Sequence, residues 1–134
     1  MKQQLTKEQS RRLIELGVPT EKASSSVVEE TQGNGCSWTY PVFTIGDLLE
    51  VLPKDIRVEK SWGESLIYDI NINVKHRKWW VSYRYDIYQE DVFGREEYTG
   101  CYDEGIFSGG QLIDALFDLV VWCVENGYIK TEKQ

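Results

Sequence analysis

The sequence predicts an α+β domain: an antiparallel sheet of about three strands, with a small additional hairpin, packed on a long C-terminal helix and short N-terminal helices. Three observations predict it. Apolar residues recur at helical spacing across residues 108–129, whereas residues 66–72 and 79–88 alternate with period two. Helical patterns come first, strands follow, and the longest helical pattern closes the chain, an order that segregates helices from an antiparallel sheet. A chain of 134 residues that is 41% hydrophobic, with five Trp and eight Tyr, has material for one core, so residues 1–134 read as one domain.

The first helix is predicted over residues 6–17. Thr6 and Gln9 have the spacing of a capping box, Leu13, Ile14 and Leu16 supply an apolar side, and Gly17 ends it. Val18-Pro19 redirects the chain, Thr20 starts a single helical turn through Ala23, and the serines at 24–26 mark a connection. Residues 27–31 and 36–40 flank the turn cluster Gln32-Gly33-Asn34-Gly35 and read as a small hairpin, with a surface loop as the alternative. Thr44 then caps a helix with Asp47 at its third position, where a carboxylate favours the helix dipole. Leu48, Leu49, Val51 and Leu52 are its packing residues, and Pro53 ends it.

Strand patterns follow. Leu66, Tyr68, Ile70 and Ile72 alternate with Ile67, Asp69, Asn71 and Asn73. Trp79, Val81, Tyr83, Tyr85 and Ile87 alternate in the same way with Trp80, Ser82, Arg84, Asp86 and Tyr88. The five residues 74–78 between them suit a longer hairpin loop. A third strand is predicted around 97–102, after the turn signal Phe93-Gly94. The closing helix is expected to start at Ser108, with Gln111 completing a capping box, and to end at Gly127. Leu112, Leu116, Leu119, Val120, Cys123 and Val124 form its core side, widened by Ile113 and Phe117, opposite the polar stripe Gln111, Asp114, Asp118 and Glu125.

A net charge of −7 opposes indiscriminate binding to nucleic acid or anionic membrane. The N-terminal residues have no apolar core of a secretory signal, and the longest apolar run of the closing helix, 119–124, is too short to span a bilayer. Cys36, Cys101 and Cys123 are odd in number and lack CxxC spacing, so a reduced cytoplasmic protein without membrane association is the simplest expectation.

Two stretches carry a resemblance. FTIGDLLEVLP at 43–53, followed by the aromatic strand segment WWVSYR, and the closing LIDALFDLVVWCVENGYI resemble an uncharacterised group of small gut-bacterial proteins. The genes of that group often lie near prophages or other mobile elements. The likeness follows the order of elements along most of the chain and rests on packing motifs. It implies an accessory protein of mobile-element origin, and no catalytic or binding residues.

Chemistry is sparse in this sequence. His76 is the one histidine, so a Ser-His-Asp triad or a His-based metal site would rest wholly on it. Among Lys75, Arg77 and Lys78 it reads better as an exposed loop residue. Cys101 has no evident base beside it, which a reactive thiolate would need. Glu90, Asp91, Glu96, Glu97, Asp103 and Glu104 read as a solvated acidic rim, since no calcium-loop spacing is present. Gly109-Gly110 is too short for a phosphate-binding fingerprint. No catalytic residue, metal ligand or cofactor is assigned.

One stretch differs from its surroundings. Residues 70–85 hold no acid, and Lys75, Arg77, Lys78 and Arg84 give them +4, so the remainder carries −11 (−7 less +4). Trp80 falls on the polar side of its strand, beside Arg84 and across from Asn71 or Asn73. An exposed aromatic among cations on a sheet suits a protein interface, where Trp, Tyr and Arg concentrate binding energy. It also suits stacking of single-stranded nucleic acid. The bland alternative is a sheet covered on both faces, with Trp80 in the core. The leading expectation is a non-enzymatic interaction protein that meets an unknown protein partner through Trp80, Arg84 and Tyr88. The second is a nucleic-acid-binding accessory domain using Lys75, Arg77, Lys78 and Trp80. The third is an enzyme, which requires a deep pocket of converging polar groups.

Overall fold

The structure, a computed structural model, describes residues 1–30 and 37–131, with the backbone alone at 29, 30 and 37. Nine elements follow one another: α1 (Lys7–Glu15), β1 (Ser25–Glu30), β2 (Ser37–Val42), α2 (Ile45–Val51), β3 (Asp55–Glu59), β4 (Ser65–Lys75), β5 (Lys78–Glu90), β6 (Glu96–Gly109) and α3 (Leu112–Glu125). A single 3-10 turn at Thr20–Lys22 lies where the sequence predicts a helical turn. The architecture is α+β, with two antiparallel sheets. β1 and β2 pair alone, and β3-β4-β5-β6 form a four-stranded meander.

The caps explain the short helices. In α1, Thr6 Oγ1 accepts from Gln9 N–H at 3.1 Å while Gln9 Oε1 accepts from Thr6 N–H at 3.0 Å. At its other end Gly17 has φ +103, and the N–H groups of Gly17 and Val18 donate to Ile14 and Leu13, a Schellman closure. α2 repeats the N-terminal device with Thr44 and Asp47. Asp47 Oδ2 also accepts from the N–H and hydroxyl of Ser24 at 2.8 and 2.9 Å, so one carboxylate fixes both the helix and the start of β1. Burial pushes the Asp47 pKa up, but the hydrogen bonds from Thr44 and Ser24 outweigh it and hold the group below its ordinary value.

The core lies between the helices and one face of the large sheet. α3 packs on β5, β6 and α2, and α1 packs on β2. Leu112, Ile113, Leu116, Leu119, Val120, Cys123 and Val124 are buried, as the helical periodicity predicts, and meet Tyr68, Val81 and Tyr83 from the sheet. Tyr83 crosses this layer to donate its hydroxyl to Pro53 O at 2.7 Å. Burial pushes the Cys123 thiol up to about 11, so it is a protonated core side chain at neutral pH.

Several expectations are corrected. The sheet has four strands, because Ile56 and Val58 add β3 along one edge of β4. The third predicted strand is the longer β6, which runs through Ser108. Phe107 and Ser108 continue the ladder opposite Val81 and Trp80, so Ser108 is not a helix cap. α3 starts four residues later; its N-cap Gln111 makes no side-chain cap, and its Oε1 accepts from Lys2 N–H at 2.9 Å instead. The C-terminal closure is as expected, with Gly127 at φ +78 and the N–H groups of Gly127 and Tyr128 donating to Val124 and Cys123. Leu49 is not a packing residue: α2 turns Leu48 and Leu52 to the core and leaves Leu49 41% exposed. The small hairpin is formed by β1 and β2, while the turn cluster at 32–35 and Cys36 lie outside the described residues.

The loop expected at 74–78 is a two-residue turn. β4 and β5 pair as far as Lys75 and Lys78, leaving His76 and Arg77 at φ +56 and +63. Positive φ at both central residues matches the twist of the flanking strands, as in a type I′ turn. Arg77 is not among the residues that adopt this conformation cheaply, and His76 does so less readily than Gly or Asn.

Candidate functional site

The alternation along β4 and β5 sends two sets of side chains to opposite faces. One set enters the core under α3. The other set forms an outer face that no described helix covers: Ile67, Asp69, Asn71 and Asn73 from β4, and Trp80, Ser82, Arg84, Asp86 and Tyr88 from β5. The sequence therefore places Trp80, Arg84 and Tyr88 together correctly, and the two-sided-core alternative fails for this face. Register brings Asp69 opposite Arg84, Asn71 opposite Ser82 and Asn73 opposite Trp80.

β6 adds residues that the alternation did not bring to this face. Its pairing with β5 slips twice, between Val81 and Tyr83 and between Ile87 and Tyr88, each time with the extra residue in β6. β5 thus keeps a regular period while β6 loses it. As a result Asp103 lies directly across from Arg84, and Ile106 beside Ser82 and Trp80. Gly100 and Gly105, both with positive φ, are the sequence signal of these irregularities.

At the centre is a fixed polar cluster. Arg84 Nε donates to Asp103 Oδ1 at 2.9 Å, and Ser82 Oγ donates to the same oxygen at 3.0 Å. Cys101 Sγ lies 3.5 Å from the other oxygen, Oδ2. Burial raises the Asp103 pKa, but Arg84 and Ser82 more than reverse this and leave it low; the same contact raises Arg84. The pair is held in its ionised form.

Arg84 also stands as a wall between two hollows. The first, of about 340 Å³, is lined by Asn73, Lys75, His76, Trp80, Asp103 and Ile106 among others. The second, of about 440 Å³, is lined by Ile67, Asp69, Asn71, Asp86 and Tyr88. Trp80 is half-buried and pinned by its Nε1–H donating to Lys75 O at 3.0 Å. Around this polar centre lie exposed apolar side chains: Ile67 at 52%, Tyr88 at 56%, Tyr98 at 52% and Ile106 at 53%. Tyr88 and Tyr98 meet edge to face with centroids 5.8 Å apart.

The basic residues gather at one end. Lys75 and Lys78 are directly opposite each other, and Arg77 occupies the turn between them. His76 lines the first hollow, a position that its reading as a loop residue without a role did not anticipate. The acidic residues do not form one site. Asp91 organises the distal turn by accepting from Phe93 N–H, Arg95 N–H and Arg95 Nε–H, Asp103 pairs with Arg84, and Glu104 faces Lys60 at 3.6 Å. Among the described residues no group of three His, Cys, Asp or Glu is placed to hold a metal ion, and no helix is long and apolar enough to cross a membrane. Comparison with family models, with curated proteins and with solved structures finds no match for this chain.

Proposed function

We propose that this chain is a non-enzymatic interaction module whose outer sheet face, centred on Trp80, Arg84 and Tyr88, meets a partner protein. The observation that carries the reading is a sheet face that no described helix covers, on which exposed Ile67, Tyr88, Tyr98 and Ile106 surround an ion pair already fixed by the fold. Protein interfaces combine apolar area with preorganised polar groups in this way. Arg84 and Asp103 are desolvated in part before any partner arrives, so docking costs them less than it would a mobile surface pair. Both hollows are half open to solvent. The resemblance to gut-bacterial proteins of mobile elements extends the proposal to a cytoplasmic, regulatory accessory role.

A second reading has its own observation. The turn at His76 and Arg77, with Lys75, Lys78 and Trp80 beside it, concentrates the basic side chains at one tip of the sheet. Single-stranded nucleic acid would stack on Trp80 and be held by these cations.

One experiment separates the two. The tagged protein is recovered from lysate of its source cells, with and without nuclease, beside the Trp80→Ala and Ile106→Asp variants. A defined protein that survives nuclease and is lost with both variants is the expected result. Nuclease-sensitive recovery with a steep salt dependence favours nucleic acid. A protein partner that both variants retain removes the outer face from consideration.

A further inference from the structure

The outer face carries two like-charge pairs that no ion pair among the described residues relieves. At one end of β5, Lys75 and Lys78 are cross-strand neighbours; at the other, Glu90 and Glu96 are. Like charges directly opposite each other destabilise a sheet. The two conflicts have opposite sign and lie on the same face. Lys78 and Glu90 are exposed, and twelve residues of extended strand put them roughly 40 Å apart.

Their placement is symmetric. Lys78 and Glu90 lie six residues either side of Arg84, Trp80 and Tyr88 four either side, and Ser82 and Asp86 two either side. All are on the outer face, because β5 keeps its alternation past both irregularities. A two-fold axis lying between two facing sheets, perpendicular to β5 and passing at Arg84, would reverse the strand direction and bring outer face to outer face. It would set Lys78 of each copy against Glu90 of the other, Trp80 against Tyr88, and Ser82 against Asp86. Arg84 would meet its own twin at the axis, as would its cross-strand neighbours Asp69 and Asp103; each guanidinium is paired with Asp103 at 2.9 Å, and Asp69 is left facing its twin.

We propose that a second copy of this chain occupies the outer face, in an antiparallel, face-to-face dimer with its two-fold axis at Arg84. This rests on reading that face as an interaction surface, and it names the occupant. The interface is isologous, so one pair of complementary ends is used twice. Facing sheets pack about 10 Å apart, and an inclination of about 30° shifts the ends of β5 sideways by roughly 10 Å, so Lys78 meets Glu90 or Glu96 only through the reach of their long side chains. β5 and β6 over this length, with β4 beside only residues 78–84, present about 400–500 Å² per copy, or roughly 800–1,000 Å² in total, the size of a weak, transient interface. The Lys75–Lys78 and Glu90–Glu96 conflicts are then both relieved by the partner's opposite charge.

Sedimentation equilibrium over roughly 1 to 500 μM, a range that brackets weak specific interfaces, tests this on the full chain. The expected result is a monomer–dimer equilibrium that salt weakens. Lys78→Glu and Glu90→Lys should each be monomeric where the wild type is dimeric, and an equimolar mixture of the two should form dimers, since each copy then supplies what the other lacks. Glu90→Lys lowers the net negative charge, so general repulsion alone would make it associate more. Circular dichroism and thermal melts of each variant establish that it is folded. A wild type monomeric throughout, a Glu90→Lys variant that dimerises as well as wild type, or a mixture that stays monomeric would overturn the proposal. A monomeric wild type that still captures a different protein, lost with Ile106→Asp, would leave the wider interface reading standing.

Discussion

Gly105 lies against the indole of Trp122 so closely that a Cβ at this position would stand 2.9 Å from Cδ2 and Cε3 of the ring. The approach is possible because Gly105 takes φ +62 where β6 slips against β5. Trp122 in turn stacks on Tyr128 and Tyr83 with centroids 5.3 and 6.4 Å away, so it has little room to yield. Gly105→Ala is expected to cost about 2–4 kcal/mol from combined overpacking and left-handed strain. Gly63→Ala is the control: its φ is +88 but the space is open, so it should lose only about 1–2 kcal/mol. Urea unfolding of both variants measures the difference, and equal losses would show that Trp122 does not close on the strand.

The core side of α3 can be separated from the surface in the same assay. Leu116 is fully buried, and Leu116→Ala should lose about 2–5 kcal/mol. Leu49, on α2 and 41% exposed, should lose no more than about 0.5 kcal/mol on the same change. A small loss at Leu116 would place the core elsewhere.

The contrast between these two leucines also shows what the sequence could and could not disclose. α3 is long enough for its 3.6-residue period to separate inside from outside, whereas α2 has seven residues and too few turns to decide Leu49. β4 and β5 alternate without interruption, so the faces of Trp80, Arg84 and Tyr88 were legible. β6 was not, because the slips opposite Ser82 and at Thr99 break its alternation and conceal Asp103 and Ile106 as partners of Arg84 and Trp80. β3 is obscured for another reason: in Asp55–Glu59 only Ile56 and Val58 are apolar, and charges occupy the remaining positions of a short edge strand. The tight turn at His76-Arg77 was hidden by its residues, since Asn-Gly or Asp-Gly is the usual signal for such a turn.

That turn is a place where the chain can be made more stable. His76 and Arg77 both hold positive φ without a glycine or asparagine. The double change His76→Asn with Arg77→Gly should raise stability by about 1–2 kcal/mol, because Asn and Gly enter this conformation at less cost. A thermal melt checks the gain, and a loss would mean that the side chains removed contribute more than the turn strain costs. The same variant removes a cation from the basic tip, so a fall in nucleic-acid binding alongside the rise in stability would assign the strained residues to that contact.

Asp47 makes the joint between α2 and β1 sensitive to acid. Its carboxylate accepts from Thr44 N–H at 2.9 Å and from the N–H and hydroxyl of Ser24, and it is nearly buried. Its pKa in the folded chain lies below the ordinary carboxylate value, with hydrogen bonding overcoming burial. A carboxyl with a depressed folded pKa contributes stability that is present above its unfolded pKa, near 3.9, and is lost as pH falls through the folded value. Asp47→Asn keeps the shape but removes the charge, and it can satisfy fewer of these donors well. At neutral pH it should therefore cost about 1–3 kcal/mol. The difference between wild type and variant should stay constant above about pH 5 and shrink below about pH 4, as the wild-type carboxyl takes up its proton. Urea unfolding across this range measures it; a difference independent of pH would mean that shape at position 47, and not its charge, joins α2 to β1.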